Sequence, residues 1–555
     1  MGIFKNTWSV LNAKEKKSFC ILLFLDITIS LLDIFSLALL LWLVQFYIQP
    51  KTAIHFFFID TAFLQKHATA AMGLFFIVFA VKNCIAILVN HKLFGFIGRV
   101  AVRISALNLS YFQQASFQQF TEIDSSVQIR KIAFQPFEFC QYLLTGILQI
   151  ITQSFLITGT LAAIILFNAK IFLLLLILLL PPVVAVFYFI KNKISTTRSG
   201  IKQANELSFK YLLDALKGYV EANIFDRNAF FMKRFIEQRE RFSNFLFQSL
   251  SIQAMPGRII ELFAVMGLFL LILLAQWSGS DKDSLLTIGA FMVAAYKVIP
   301  GLVKLINITG QMKAYEPSLH ELVLEQQLIK ANPSSSKKSA IKSLQFKNVA
   351  YQYTGLPVLL DVNFSIDPGD FIGIAAPSGK GKTTLLNLML GFLAPTDGEI
   401  LVNGNREHKD TLKQYWPSIA YVRQQSFLIN DSVIKNITLQ EDAGDKDRLS
   451  EALHISGIDT FLSAIESEGK VINENGKNIS GGQQQRIAIA RALYKDADLF
   501  LLDEPFNELD ERSENLLLKH FQKLSASGKS VVMITHREKS LSYCTKIVSL
   551  DGQQS

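Results

Sequence analysis

The composition of this chain excludes an ordinary soluble protein. Its 555 residues are 50% hydrophobic and its mean hydropathy is +0.31, which is more apolar than soluble globular chains usually are. The formal net charge of +9 is typical of basic loops beside a membrane, and the chain lacks the basic and aromatic modules that indicate nucleic-acid binding. The spacing of its four cysteines predicts neither a disulfide framework nor a zinc site.

Long apolar segments dominate the first 330 residues. A helix needs about 20 apolar residues to cross a membrane. Segments of that kind lie near residues 18–47, 69–96, 142–167, 171–190, 254–277 and 285–308. Pro181 and Pro182 predict a kink in the fourth segment, and Lys297 with Pro300 predicts a broken, cavity-lining helix in the sixth.

Basic residues predict the orientation of these segments. They concentrate before the first segment and in the long loops 97–131 and 191–241, whereas the other loops are short and carry few basic residues. By the positive-inside rule, the N-terminus, both long loops and the C-terminal region lie in the cytoplasm. We therefore expect residues 1–330 to form an all-α transmembrane domain of six helices.

Two carboxylates in the first segment need an explanation. Asp26 and Asp33 are about two helical turns apart, so they share one face. Charged groups in a membrane span usually face a cavity or a partner. A polar cavity for cargo and an ion pair with Lys82, Arg258 or Lys297 are both open for Asp33, while Asp26 could simply lie near the cytoplasmic surface.

Residues 331–341 read as a polar linker, and residues 342–555 alternate strands with helices as an α/β domain does. In this domain the apolar strand 371–375 is followed by Ala376-Pro377-Ser378-Gly379-Lys380-Gly381-Lys382-Thr383. That run fits the phosphate-loop pattern except at Ala376, where glycine is expected. The glycines let backbone N–H groups face phosphate, Lys382 supplies a positive charge, and the Thr383 hydroxyl is suited to Mg²⁺.

Two later strands end in candidate catalytic residues. The apolar run 499–502 precedes Asp503, which is suited to hold Mg²⁺, and Glu504, which is placed to orient or deprotonate the attacking water. The apolar run 531–534 precedes His536, which could contact the γ-phosphate. The chain is thus expected to be multidomain, with an all-α transmembrane domain followed by an α/β P-loop nucleotide-binding domain.

The segment Ile479-Ser480-Gly481-Gly482-Gln483-Gln484-Gln485-Arg486 completes this series of motifs. With the phosphate loop and the acidic strand end, it resembles the signature of ATP-binding-cassette transporters, with Ile479 in place of the usual leucine. In that family the signature contacts the γ-phosphate held by the opposite subunit. The resemblance also implies that Gln424 senses Mg²⁺ and that Tyr353 stacks on adenine.

The resemblance therefore implies ATP and Mg²⁺ as cofactors and a complete set of site residues. The implied catalytic residues are Glu504, His536 and Lys382. The implied nucleotide contacts are Tyr353, Ser378, Gly379, Lys380, Gly381, Lys382, Thr383, Thr384, Gln424, Ser480, Gly481, Gly482 and Gln483. The implied metal contacts are Thr383, Gln424 and Asp503.

Both halves of an ATP site occur in this one chain, which predicts a homodimer with two equivalent sites. Asn507-Glu508-Leu509-Asp510 stands where Ser-Ala-Leu-Asp is commoner in the family. This departure and Ala376 leave open a subunit of a heterodimer. A non-transporting, membrane-tethered ATPase is the alternative of another class.

The membrane half resembles the exporter half-transporters of this family, and bacterial lipid-linked oligosaccharide flippases in particular. The similar pieces are residues 29–33, 296–300 and 430–437. The resemblance implies an ATPase coupled to transport, membrane lipids as partners, a lipid or lipid-linked glycan as cargo, and no nucleic acid. It places the protein in the bacterial inner membrane with its nucleotide-binding domain in the cytoplasm. A peptide or drug exporter is the alternative, and residues 119–127 and 221–227 are the expected coupling helices.

Overall fold

The structure, a computed structural model, divides into two compact units. It describes all residues except 1, 49–67, 168, 279–280, 332–338, 354, 376–378, 443, 460–470 and 551–555. Unit 1 comprises Met1–Ala115 and Glu122–Pro333, and unit 2 comprises Ser116–Thr121 and Ser334–Ser555. The division after Pro333 falls inside the predicted linker.

The regular secondary structure of the first part of the chain is entirely helical in the residues that the structure describes. Its helices are α1 (Gly2–Val10), α2 (Ala13–Ile48), α3 (Ala68–Gln114), α4 (Phe117–Glu122), α5 (Ser125–Ile129), α6 (Gln135–Glu138), α7 (Thr145–Phe167), α8 (Ala169–Lys217), α9 (Tyr219–Ile224), α10 (Asn228–Ser278) and α11 (Asp281–Ala331). Two π-helical segments, Arg130–Phe134 and Phe139–Leu144, join α5, α6 and α7.

Within the described residues, four stretches are long and apolar enough to cross a membrane. They are Ala13–Leu40, Phe75–Gln114, Ser125–Ile165 and Asn228–Leu270. The predicted spans at 171–190 and 285–308 lie in α8 and α11, where most of the side chains concerned are outside the described part. The number of six spans therefore stays a prediction.

The predicted break in the sixth span is wrong. Helix α11 continues from Asp281 to Ala331 and contains Pro300 and Pro317. A proline removes one backbone hydrogen bond, and the intact turns on both sides are sufficient to keep the helix continuous here. The side chain of Lys297, the other half of that prediction, lies outside the described residues.

Two ion pairs account for four of the charged positions in the spans. Lys82 Nζ of α3 lies 2.5 Å from Asp33 Oδ1 of α2, so the structural-pair interpretation of Asp33 is the one observed. In α10, Arg258 and Glu261 approach to 3.3 Å, one turn apart, as their spacing predicts. Each charge therefore has an opposite charge nearby, which lowers the cost of placing it in a membrane.

A buried cation in the first π-helical segment of unit 1 pairs with acids on two long helices. The Arg130 side chain is 7% exposed, and its Nε lies 2.5 Å from Glu206 Oε1 in α8. Its Nη2 lies 3.5 Å from Glu321 Oε2 in α11, and Lys202 Nζ lies 3.0 Å from the other oxygen of Glu321. Because a buried charge is costly unless it is paired, these contacts hold the three segments in one arrangement.

Unit 2 has the alternating strands and helices that its sequence predicts. Its strands are β1 (Leu344–Tyr353), β2 (Leu356–Ile366), β3 (Phe371–Ala375), β4 (Asp397–Val402), β5 (Asn405–Arg406), β6 (Ile419–Val422), β7 (Leu499–Asp503), β8 (Ser530–Ile534) and β9 (Lys546–Ser549). Its helices are α12 (Lys382–Met389), α13 (Lys409–Leu412), α14 (Val433–Thr438), α15 (Lys446–Ser456), α16 (Gly481–Tyr494), α17 (Glu511–Ala526) and α18 (Glu538–Leu541), with 3₁₀ turns at Lys413–Ser418 and Glu474–Gly476.

These strands form two sheets around a buried core. The first sheet has the order β2-β1-β4-β5 and is antiparallel. The second has the order β6-β7-β8-β3-β9 and is parallel. Every residue of β7 and β8 is buried, as expected for parallel strands covered on both faces.

Helix α4 contributes to unit 2, although it lies between two helices of the first part of the chain. Residues 116–121 group with unit 2, and the ring of Phe117 stacks on that of Phe392 with centroids 4.5 Å apart. The expected coupling segment 119–127 is divided between α4 and α5. The second expected segment, 221–227, covers the end of α9 and the turn that follows it.

Candidate active site at the edge of the parallel sheet

Four neighbouring strands of the parallel sheet deliver polar residues to one edge. In the order of the sheet, β6 is followed by Gln424, β7 by Glu504, β8 by His536, and β3 by the loop that leads to Lys382. Parallel strands end at the same edge of a sheet, which is where ligands bind in open α/β folds. The sheet order therefore gathers four residues that are far apart in the sequence.

The carboxylate of Glu504 is the centre of this group. Lys382 Nζ lies 2.7 Å from Oε1, and His536 Nδ1 lies 3.9 Å from the same oxygen. Gln424 Nε2 donates a hydrogen bond of 2.9 Å to Oε2, and Asn507 Nδ2 donates one of 2.7 Å to that oxygen. Both carboxylate oxygens thus have donors, and the side chain has a defined orientation.

The backbone of Glu504 is in a conformation that a non-glycine residue rarely adopts. Its φ is +49°, and its N–H donates to the carbonyl of Ile534 at 3.0 Å. Such a backbone costs about 1–3 kcal/mol and persists only where the surrounding structure holds it. Gln485 Nε2 of α16 donates to the carbonyl oxygen of Glu504 at 3.3 Å, so the residue is held on both sides.

The two adjacent acids differ in their electrostatics. Burial and the neighbouring charge of Glu504 raise the pKa of Asp503 to about 6. Burial would also raise the pKa of Glu504, but hydrogen bonds from Lys382 and Asn507 outweigh it and hold that pKa below its ordinary value. At neutral pH the Glu504 carboxylate is therefore ionised.

The end of the phosphate loop has the geometry that an anion site needs. Gly379 and Gly381 have φ values of +83° and +82°, and Lys382 begins α12. A Cβ at Gly381 would lie 3.2 Å from the Val358 carbonyl oxygen, so a side chain has little room there. Helix N-termini with free N–H groups bind phosphate readily.

The other predicted residues of this loop differ in exposure. Thr383 is exposed and Thr384 is buried, while Lys380 is partly buried. Ser378 lies outside the described residues, together with Ala376 and Pro377. Tyr353, the predicted adenine contact, is 44% exposed at the end of β1, and its ring meets Tyr351 edge to face at 4.8 Å.

The signature segment forms the start of α16. Ser480 caps this helix: its Oγ accepts from Gln483 N at 3.2 Å, and Gln483 Oε1 accepts from Ser480 N at 2.9 Å. A Cβ at Gly482 would lie 2.8 Å from the backbone oxygen of Glu508, and one at Gly481 would lie 3.0 Å from Glu508 Oε2. In the described structure Ser480 makes no hydrogen bond to Lys382, Gln424, Glu504 or His536.

Sequence reasoning missed one direct contact. Asn507 was notable only as a departure from a commoner serine, yet its side chain bonds the predicted catalytic acid. The spacing of the two residues could have indicated this contact. When residues 504–507 form a turn, the side chain of Asn507 comes close to that of Glu504, three positions earlier.

The described residues fit magnesium bound together with phosphate. They contain no group of three or more His, Cys, Asp or Glu residues that could hold a metal ion by themselves. Mg²⁺ commonly uses one or two protein ligands, with phosphate and water completing its shell. The Thr383 hydroxyl and the Asp503 carboxylate are protein ligands of the type that Mg²⁺ uses when phosphate and water complete its coordination.

Known proteins resemble both the sequence and the fold. Residues 359–507 match the family model described as "ABC transporter". The chain is 29% identical over 357 residues to an ATP-dependent lipid A-core flippase of Burkholderia orbicola, covering 63% of this chain and 59% of the relative. It is 31% identical over 352 residues to the flippase of the same name in Alkalilimnicola ehrlichii, covering 61% and 59%.

The chain also resembles an ABC protein with a different named function and a solved ABC exporter. The chain is 30% identical over 289 residues to the α-hemolysin translocation ATP-binding protein HlyB of Escherichia coli, covering 50% of this chain and 41% of that protein. Its matches span between 41% and 63% of the length of the first curated relatives. A solved bacterial Atm1-family ABC exporter with ATP bound has a TM-score of 0.78 at 18% identity, covering 97% of this chain and 93% of that one.

The family match covers Lys382, Gln424 and Glu504 of the sheet edge but ends before His536, and the structural match covers 97% of the chain. Residues 359–507 are therefore similar to the ATP-binding region of ABC transporters, and the whole chain shares its fold with the solved Atm1-family ABC exporter.

Proposed function

We propose that this protein is an ATP-driven membrane exporter or flippase. The observation that carries the proposal is the convergence of Lys382, Gln424, Glu504 and His536 on one sheet edge, in a chain that also has apolar helices long enough to cross a membrane. ATP hydrolysis at that edge would supply the free energy, and the helices of unit 1 would carry the cargo.

The residues of this edge have distinct roles in the proposed reaction. Lys382 and the backbone N–H groups of the phosphate loop bind the outer phosphates. Thr383, Gln424 and Asp503 would hold Mg²⁺, which would neutralise phosphate charge when it is bound. Glu504, ionised at neutral pH, orients the attacking water and accepts its proton, and His536 contacts the γ-phosphate.

A second copy of the chain would complete each site. Ser480 already caps α16 and is not bonded to the phosphate-loop group of its own chain, so the signature of one copy is free to face the nucleotide of another. The chain contains the phosphate loop, Glu504 and the signature together. A homodimer with two equivalent ATP sites therefore needs no other subunit.

The cargo we propose is a lipid or a lipid-linked glycan. A cavity of about 990 Å³ lies between α10 and α11, and its lining combines apolar side chains with Arg258, Glu261, Lys304 and Asn307. The Asn307 Oδ1 atom has no hydrogen-bond partner in the described structure, so it can accept from a hydroxyl or amide of a ligand. An amphipathic molecule with a charged, hydroxyl-bearing head group fits this mixture.

We also propose that the protein lies in a bacterial inner membrane, with unit 2 in the cytoplasm. The basic residues before the first span and in the loops 97–131 and 191–241 support this orientation. Membrane lipids would then be direct partners, and the lipid A-core flippases among the relatives are consistent with that environment.

Substitution of Glu504 by glutamine tests the ATPase part of the proposal. With the protein in lipid nanodiscs, we expect ATP turnover to fall about 10²- to 10⁴-fold, because an amide is a poor proton acceptor. ATP affinity should change little, because Lys382 and the loop remain. Glu451→Gln, an exposed change on α15, is the matched control. Near-normal turnover in the Glu504→Gln protein would refute the assignment.

Stimulation of the ATPase by candidate cargo tests the transport function and the proposed class of cargo. Lipids with glycosylated head groups should raise turnover more than unglycosylated lipids or peptides of equal hydrophobicity. Stimulation by peptides alone would favour the peptide-exporter alternative, for which the similarity to HlyB is the supporting observation. ATPase activity insensitive to every lipid and peptide would favour the tethered regulator.

A further inference from the structure

The hydrogen bond from Asn507 to Glu504 is a feature of this chain that its recognised motifs do not account for. Among the described residues, three side chains lie within hydrogen-bond distance of the Glu504 carboxylate as donors: Lys382, Gln424 and Asn507. Lys382 and Gln424 both have other tasks in the proposed function. Asn507 has no such task and makes a bond of 2.7 Å.

The position of Asn507 is fixed by a second set of contacts. Its backbone oxygen accepts from Arg537 Nη2 at 3.4 Å, and Arg537 Nη1 lies 2.5 Å from Glu514 Oε2. The Glu514 side chain is 7% exposed and also accepts from Ser540 Oγ at 2.5 Å. Arg537 directly follows His536, so this network ties the turn after Glu504 to the loop that carries His536.

The competing tasks of the other two donors give Asn507 its importance. Phosphate attracts the ammonium group of Lys382 more strongly than a single carboxylate does, since it carries more charge. Gln424, as a metal contact in the proposed function, would use its amide oxygen for Mg²⁺ and so would also have a second task. Among the three described side-chain donors to the carboxylate, Asn507 is the one that the proposed function gives no second task, and it lies on the same turn as the acid.

We propose, on the basis of the proposed ATPase function, that Asn507 is a positioning residue that keeps Oε2 of Glu504 fixed while Lys382 and Gln424 serve the nucleotide. Oε1 is then left pointing to the side of Lys382 and His536, where the attacking water must lie. A rigid donor matters because a displacement of about 1 Å at a catalytic group can lower a rate about 10²-fold.

Substitutions at position 507 separate hydrogen-bond donation from shape. Asn507→Asp keeps the shape but replaces the donor with a second acceptor, so it should lower kcat most. Asn507→Ala removes the donor and should lower kcat about 10- to 100-fold. Asn507→Ser, the commoner residue in the family, keeps a shorter donor and should recover part of the loss. Asn405→Ser, at an exposed position in β5, is the matched control.

Binding measurements distinguish positioning from general damage. ATP affinity measured in EDTA, without turnover, should change less than about twofold in the Asn507 variants, because the phosphate loop is untouched. A loss that appears in KM with kcat unchanged would overturn the proposal, as would an Asn507→Asp protein that is as active as the wild type.

A double-mutant cycle gives a readout without catalysis. In the nucleotide-free protein, the effects of Glu504→Ala and Asn507→Ala on the melting temperature should not add, because the two side chains share one bond. Additive effects would overturn the proposal even if Asn507→Ala lowers activity. Wild-type protein without ATPase activity would instead count against the proposed function, so the two failures can be told apart.

Discussion

Substitution of Arg130 by methionine tests whether its ion pairs hold unit 1 together. Methionine fills much of the same volume but removes the charge that faces Glu206 and Glu321. Removal of one partner from a buried pair costs about 3–5 kcal/mol, because the remaining charge loses its compensation. For Arg130→Met we expect a smaller loss of stability, about 2–3 kcal/mol, because of the geometry and the exposure of its ion pairs.

Three features reduce the stability cost expected for Arg130→Met. Arg130 Nε lies 2.5 Å from Glu206 Oε1 but is not aligned for a hydrogen bond, so the contact is chiefly electrostatic. The side chains of Glu206 and Glu321 are 22% and 34% exposed, so water still reaches them. Lys202 stays 3.0 Å from Glu321; burial alone would raise the pKa of Glu321, but Lys202 and Arg130 hold that pKa below its ordinary value.

The assay is thermal unfolding of the full chain in nanodiscs. A loss of about 2–3 kcal/mol should lower the melting temperature of unit 1 by about 3–4 °C. Arg130→Met combined with Glu206→Met should recover part of that loss, because no uncompensated charge then remains at that contact. Lys210→Met is the control, since its ion pair with Asp124 is largely exposed and should contribute little. A shift for Arg130→Met no larger than that of Lys210→Met would refute the reasoning.

Two further predictions concern unit 2. Gly482→Ala should cost about 1–3 kcal/mol of stability, because its Cβ would lie 2.8 Å from the Glu508 backbone oxygen. Gly481→Ala is the control, since its Cβ would meet only the movable end of the Glu508 side chain. Equal melting temperatures of the two variants would contradict this explanation. Asp503→Asn should raise the melting temperature at pH 7.5 by removing a buried charge: the pKa of Asp503 rises from 3.8 to about 6 on folding, which corresponds to about 3 kcal/mol. The cost of ionising the buried Asp503 appears as the pH rises from 3.8 through 6. The higher melting temperature of the Asp503→Asn protein should therefore disappear below about pH 4. A difference in melting temperature that does not depend on pH would refute the explanation.

The sequence was most informative where function depends on strand order. Gln424, Lys382, Glu504 and His536 each follow an apolar strand, and the structure brings their side chains together at one edge of the parallel sheet, while their roles in catalysis stay predictions. The helical character of the first half was predictable for a similar reason, since apolar runs of that length have few other solutions.

Contacts that depend on side-chain direction were not predictable. Asp33 had three candidate cations in the sequence, and only the packing of α2 on α3 selects Lys82. The predicted break at Pro300 was wrong because a proline disturbs one turn of a helix, while the continuation of α11 depends on all the turns around it. The bond from Asn507 to Glu504 required the shape of a turn that no motif describes.

The two acids at the end of β7 show where this fold gives up stability for chemistry. Asp503 is 7% exposed with a raised pKa, and Glu504 has a φ of +49°, so each carries a cost that another residue would avoid. The strand that carries them is buried throughout, and such a core can hold a strained end in place. Donors placed around Glu504 then compensate its charge, but Asp503 lacks comparable compensation and keeps the raised pKa. In the proposed function, positive charge from Mg²⁺ would stabilise the Asp503 carboxylate, while the lowered pKa of Glu504 keeps that carboxylate ionised at neutral pH and able to orient a water molecule.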